Sequence, residues 1–287
     1  MKYLLILMTF FGLTDPVFSA EITEDEEFIY TTIGWNEITL NTQRALMRHF
    51  SNKLTTELAC IHVPSFWNES AKKALLGKQE KFNNIHKNTQ TQASTFALGQ
   101  NVILEELRPI GFILGLGITG SGNFIVGLSQ SALLTLIVVP YEVIQVNKLT
   151  GETITTYQAS WAVGGLGQAG VTTGAGGGLA VSGAVGLIWG DLPEASSLRG
   201  TAIGVSGGIT VIQGLVFKAA LVINTATKKN NIVAMAAYNM GANISATIEA
   251  STFYFMNADE VIEFMTGLNL RSMEGNEIIT QDDLMGS

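Results

Sequence analysis

Three stretches of the chain have residue types at spacings that invite chemistry, and each fails on its context. Gly165–Gly170 reads Gly-Leu-Gly-Gln-Ala-Gly, the GxGxxG spacing that cradles a pyrophosphate. Such a site needs a helix opening at the last glycine, because the helix N-terminus holds the phosphate charge. Here the chain continues Val171-Thr172-Thr173-Gly174-Ala175-Gly176, poor helix material, so a glycine-rich strand is expected. Gly204–Gly208 reads Gly-Val-Ser-Gly-Gly, the spacing of a nucleophile elbow, which requires an acid and then a histidine further along. His49, His62 and His86 all precede Ser206, and Ser206 lies inside a period-two pattern, which rules out that hydrolase reading. Cys60 and His62 stand two apart with no supporting cluster, and the histidines lack metal-ligand spacing. No catalytic, cofactor or metal residue is therefore expected, and the chain reads as a non-enzyme.

The remaining candidates are basic. Residues 44–87 carry eight Lys/Arg against three Glu, and Arg44, Arg48, Lys53, Lys72 and Lys73 are the candidates for contact with lipid headgroups or another anionic surface. The surroundings are acidic: Glu21–Glu27 holds five acids, Asn257–Ser287 holds seven against Arg271, and the net charge is −8. That balance argues against nucleic acid as a partner. Between Ile110 and Ile248 only nine residues of 139 are charged, so this stretch exposes little charge on any face.

The elements that position these residues follow from periodicity. Leu46, Phe50, Leu54 and Leu58 recur every fourth residue, which predicts an N-terminal helix with Arg44, Arg48 and Lys53 on its other faces. A second helix is expected through Ala71–Leu76, and Asn83–Gln100 reads as a polar loop or frayed helix. From Ile110 the period changes to two. Leu133–Val139 is apolar on both parities, as in a strand covered on both faces, and Lys148-Leu149-Thr150-Gly151 marks a turn. Beyond it, Thr153, Thr155, Tyr157, Ala159, Trp161 and Val163 share one face. Gly170, Gly174, Gly178, Ser182, Gly186 and Gly190 also match the spacing of a membrane-helix glycine zipper, but the flanking tracts keep period two alone, which favours strand.

Alternation sustained over more than twenty residues exceeds ordinary strand length, so Gly183, Gly207-Gly208 and Gly241 are expected to mark bends or bulges. The expected fold is mainly β: an antiparallel, bent, closed or nearly closed glycine-rich β-barrel with an α-helical N-terminal extension and a short C-terminal helix. Lys2, the apolar run Tyr3–Leu13 and Pro16–Ala20 form the three parts of a secretory signal. The expected organisation is a signal peptide over residues 1–20, an acidic segment plus helical region over 21–107, the barrel over 108–256, and a short helix with an acidic tail over 257–287. The one cysteine, Cys60, excludes an internal disulfide.

Arg108–Gly115, Gly122-Asn123-Phe124 and Gly127-Leu128 resemble a family of periplasmic β-barrels, the EipA-type envelope-integrity proteins, which are similar in shape to the SYLF lipid-binding domain. Leu187–Pro193, Gly200-Thr201-Ala202 with Gly207–Val211, and Met240-Gly241-Ala242-Asn243 follow in the family's order, so the resemblance spans residues 108–256. The chain departs from the family in lacking an Arg-Tyr-Gly-Glu-Gly match after Gly127-Leu128, and in its N-terminal helices and acidic tail. The resemblance implies a non-enzymatic envelope protein facing lipid or cell wall.

The functional expectation is an exported, non-catalytic protein, periplasmic or associated with the outer membrane, that binds lipid or another envelope component. Its bulky apolar parity over residues 171–256 would form the core or line a hydrophobic cavity. The alternatives are an integral outer-membrane β-barrel, with that parity facing lipid, and a secreted pore-forming or surface-interaction protein.

Overall fold

The computed structural model describes residues 21–54, 109–123, 126–224, 230–257 and 274–285. Within them the chain forms strands β1 (Glu21–Glu24), β2 (Phe28–Gly34), β3 (Gly111–Asn123), β4 (Val126–Asn147), β5 (Thr153–Gly190), β6 (Gly200–Asn224), β7 (Asn230–Asn257) and β8 (Glu274–Ile279). Helices α1 (Leu40–Asn52) and α2 (Gln281–Met285) accompany them. All pairings are antiparallel, in the order β1-β2-β4-β3-β5-β7-β6, with β8 on β5. The path ends at β1 and β6, so hydrogen bonds among the described residues do not close the sheet.

Both tempting glycine motifs lie within strands. Gly165–Gly170 pairs with β4 on one edge and β7 on the other, and Gly204–Gly208 pairs with β7. The zipper-spaced glycines from Gly170 to Gly190 all belong to β5. Glycine weakens an isolated strand, but here neighbours on both edges supply backbone partners. The Lys148–Gly151 turn forms as expected: Gly151 adopts φ +70 and donates its N–H to the Asn147 carbonyl at 2.8 Å.

The register requires β5 to fold back across its own length. Trp161 pairs with Val138, Val138 with Phe112, and Phe112 with Leu187. Three inter-strand steps of about 4.8 Å separate Trp161 from Leu187, whereas a straight strand would hold them roughly 85 Å apart. Pairing with β4 ends at Thr173 and pairing with β3 begins at Gly176, so the fold lies at Gly174-Ala175. β7 keeps register with β5 through this point, and Gly208 pairs with Thr247, the partner of Gly174, so the fold crosses all three strands. Gly207-Gly208 thus stands at a bend as expected. Gly241 sits where the β6–β7 register shifts, opposite Val211/Gln213. Gly183 is regularly paired on both edges, and the bend expected there belongs eight residues earlier in the glycine run.

Folding gives the sheet an outer and an inner face, each with its own core. Phe112, Leu114, Leu136, Val138, Tyr157, Ala159, Val163 and Val185 pack outward against Leu46, Met47, Phe50 and Leu54 from α1 and the residues after it, with Trp35, Ile38, Ile279 and Leu284. Ile113, Leu133, Ile137, Ala162, Leu166, Ala184, Val233 and Met235 pack inward, and Leu192, Ala195 and Leu198 from the β5–β6 connection join them. Leu133–Val138 is therefore covered on both sides, as its apolar run predicts. Each large side chain so buried contributes about 1.5–3 kcal/mol. The inner face is closely packed at Gly186, where an added Cβ would stand 2.4 Å from Met235 Cγ.

The two chain ends differ from expectation. Glu21–Gly34 was expected within an acidic and helical region, but it forms the β1–β2 hairpin, which extends the sheet through β4. The charge-rich segment is held by Asp25, whose carboxylate accepts from the N–H groups of Glu27 and Phe28 and from the Tyr30 hydroxyl. The segment read as an acidic tail contributes β8, paired with Tyr157–Ala162, and α2. The helix expected from Leu46, Phe50, Leu54 and Leu58 forms as α1 over Leu40–Asn52, with Leu58 outside the described residues: the Thr39 side chain caps it by accepting from Thr42 N–H, and Leu46 and Phe50 are fully buried. Met1–Ala20, Ala71–Leu76, Asn83–Gln100 and the C-terminal helix through Met265 lie outside the described residues.

Candidate functional site

Three of the five basic candidates lie among the described residues, and Lys53 is set apart from the other two by its partners. Arg48 is exposed on α1 and Arg44 is half-buried there, while Lys72 and Lys73 lie outside the described residues. Lys53 faces inward to the protein. Its ammonium pairs with Glu277 Oε2 at 2.5 Å and sits 4.4 Å from the centre of the Trp161 ring. His49 Nε2 meets the other carboxylate oxygen at 2.8 Å. The hydrogen bond from His49 leads in holding the Glu277 carboxyl down at about 2, with Lys53 adding to it against the opposing effect of burial. Two residues of the α1 segment thus clamp β8, where sequence spacing predicted a free cationic face. The missed signal was Glu277 itself, an acid on a short edge strand with no local partner in the sequence.

The bulky parity is divided: Val185 and Trp189 are buried, whereas other members of it are open to solvent. Val171 is 52 % exposed, Ile203 66 %, Phe217 43 % and Ile223 50 %, although large apolar side chains are normally withdrawn from water. The inward parity buries Thr135, Gln168, Ser182 and Lys218. Lys218 donates to Gln168 Oε1 within this interior. Thr135 Oγ1 is buried with no hydrogen-bond partner among the described residues.

Charge is segregated along the strands as well. The connections at the end away from the fold hold Lys148, Glu152, Asp191, Glu194 and Arg199. Lys148 there bonds the Asp25 carbonyl and the Glu24 carboxylate, tying this turn to the acidic hairpin. On the fold side, Leu116–Asn123, Val126–Ala132, Gly164–Gly183, Ile203–Val211 and Gly241–Thr252 contain one charged residue, Glu249.

Among the described residues no three His, Cys, Asp or Glu side chains converge as a metal site, and no helix is long and apolar enough to cross a membrane. No protein-family model, curated protein or solved structure matches the chain.

Proposed function

We propose that this is an exported, non-catalytic envelope protein that binds lipid through the outer face of its folded sheet. The observation that carries the reading is exposed apolar surface: Val171, Ile203 and Phe217 lie open on the outer face, while even the polar Gln168, Ser182 and Lys218 are buried on the inner one. Apolar surface left in water costs about 25 cal/mol per Å², and a lipid surface removes that cost. The fold we infer is a nearly closed barrel. Going round it, half-strands of β6, β7 and β5 lead to β4 and β3 and then to the other halves of β5, β7 and β6, with directions alternating throughout. Eight such segments enclose an interior that side chains can fill, in keeping with the inner cluster.

Flotation with phosphatidylcholine–phosphatidylglycerol liposomes tests the reading. Wild-type protein is expected to float, and the surface substitution Val171→Asp combined with Ile203→Asp to lower the floated fraction while preserving the far-UV spectrum. Protein that stays at the bottom of the gradient with every lipid composition would sink it.

The integral outer-membrane barrel remains the second reading, favoured by the polar pair Lys218–Gln168 lying inside the outward apolar face. Heat-modifiable migration after detergent extraction, together with resistance to carbonate extraction, separates it from peripheral binding.

A further inference from the structure

We propose that the protein enters a phospholipid bilayer fold-first, with the Gly174-Ala175 end leading and the α1, β8 and β1–β2 end remaining in water. The inference rests on the lipid-binding reading and adds a direction and a depth to it.

Three independent observations point the same way. The first is charge: the segments on the fold side carry only Glu249, whereas five charged residues sit in the described connections at the other end. An ionised side chain is costly at the bilayer centre, so an end nearly free of charge is the one that can lead. The second is cover. The outer face near Val163 and Val185 is occupied by α1, Trp35 and Leu284, while Val171 and Ile203 lie on rows nearer the fold and are exposed. Protein covers the outer face over β3, β4 and the neighbouring parts of β5, and leaves it open at Val171 and Ile203 on the fold side, with Phe217 and Ile223 open further along β6.

The third is length. Gly164–Thr173, the stretch between outer-cluster Val163 and the fold, is ten residues. A tilted strand needs about 9–11 residues to cross the hydrocarbon core. Backbone groups on this part of β5 are paired on both edges, with β4 and β7, so entry strands no row of unpaired amides there. This part of β5 thus has the height and the backbone pairing that a bilayer requires, and Val171 and Ile203 supply exposed apolar surface.

The test places an environment-sensitive fluorophore on single cysteines in a Cys60→Ser background, at Val171→Cys and Ile203→Cys near the fold and at Leu149→Cys in the β4–β5 turn. Phosphatidylcholine–phosphatidylglycerol liposomes carrying brominated acyl chains serve as the quencher. Blue-shifted emission and quenching at positions 171 and 203, with neither at 149, is the expected result. Equal quenching at all three positions overturns the orientation. Flotation without quenching at 171 and 203 overturns insertion while leaving surface lipid binding intact, and absence of flotation overturns both.

Discussion

Lys218 donates a hydrogen bond to the side-chain oxygen of Gln168 inside the folded sheet, although β7 stands between their strands in the hydrogen-bonded order. The bond is possible because the fold brings parts of β5 and β6 to face each other across the interior. It joins a cation and an amide that are both nearly inaccessible to water.

Gln168→Leu removes an acceptor from this buried ammonium and leaves its charge less well solvated. The expected loss is about 2 kcal/mol of unfolding free energy, measured by urea titration. Adding Lys218→Met to that variant is expected to recover part of the loss, because two apolar side chains need no partner. A Gln168→Leu protein within about 0.5 kcal/mol of wild type would show that the pair carries no stability.

Glu277 gives the fold an acid-sensitive joint. Its folded-state pKa of about 2 lies below the ordinary value of 4.5, held there first by the His49 hydrogen bond and then by Lys53. A depressed carboxylate stabilises the folded state above pH 4.5 and loses that contribution as pH falls toward 2. Glu277 is a quarter exposed, so solvent trims the effect to on the order of 2 kcal/mol. Glu277→Gln should cost that much at neutral pH, and the gap to wild type should close between pH 4.5 and 2. Denaturant titrations at stepped pH check this, and a gap constant with pH would refute it.

Thr135 buries a hydroxyl without a partner among the described residues, on the row between Gly115 and Gly164. Thr135→Val keeps the shape and removes the desolvated oxygen. It is expected to be neutral or to raise stability by about 1 kcal/mol, read from the denaturation midpoint at unchanged slope. A marked loss of stability would mean that the hydroxyl has a partner in the folded protein.

Much of this architecture was legible in the residues. The alternation in Thr153–Val163 and in the tract ending at Ile223 identified strands, and the helix-poor sequence after Gly170 argued against a phosphate cradle. Lys148–Gly151 announced its turn through glycine in the left-handed region. What local pattern does not carry is pairing at a distance. β1, β2 and β8 are short, and β1 and β8 are largely exposed; each is a strand because β4, β5 or a hairpin partner offers it an edge. Parity also separates two faces without saying which one turns inward. Val171 and Gln168 differ in parity, but only the fold at Gly174-Ala175 decides that the amide is enclosed and the valine is not. The clamp on Glu277 was hidden for a similar reason, since His49 and Lys53 meet it across most of the chain.

The strand order also governs how the chain can assemble as it is made. β6 is synthesised before β7, yet β7 lies between β6 and β5, so β6 has no place in the sheet until its successor exists. The same holds earlier for β2, which pairs with β4 and not with β3, so strands cannot be laid down one after another in the order of synthesis. Until β7 exists, β5 presents an unpaired edge from Gly164 to Gly190, the kind of template that recruits foreign strands. β7 closes that edge and carries β6 on its other side, and β8, later in the chain than β7, adds to it at Tyr157–Ala162. A chain interrupted before β7 would keep its longest strand half bare, which makes premature truncation a greater aggregation hazard here than a missing tail is in a sequentially wound sheet.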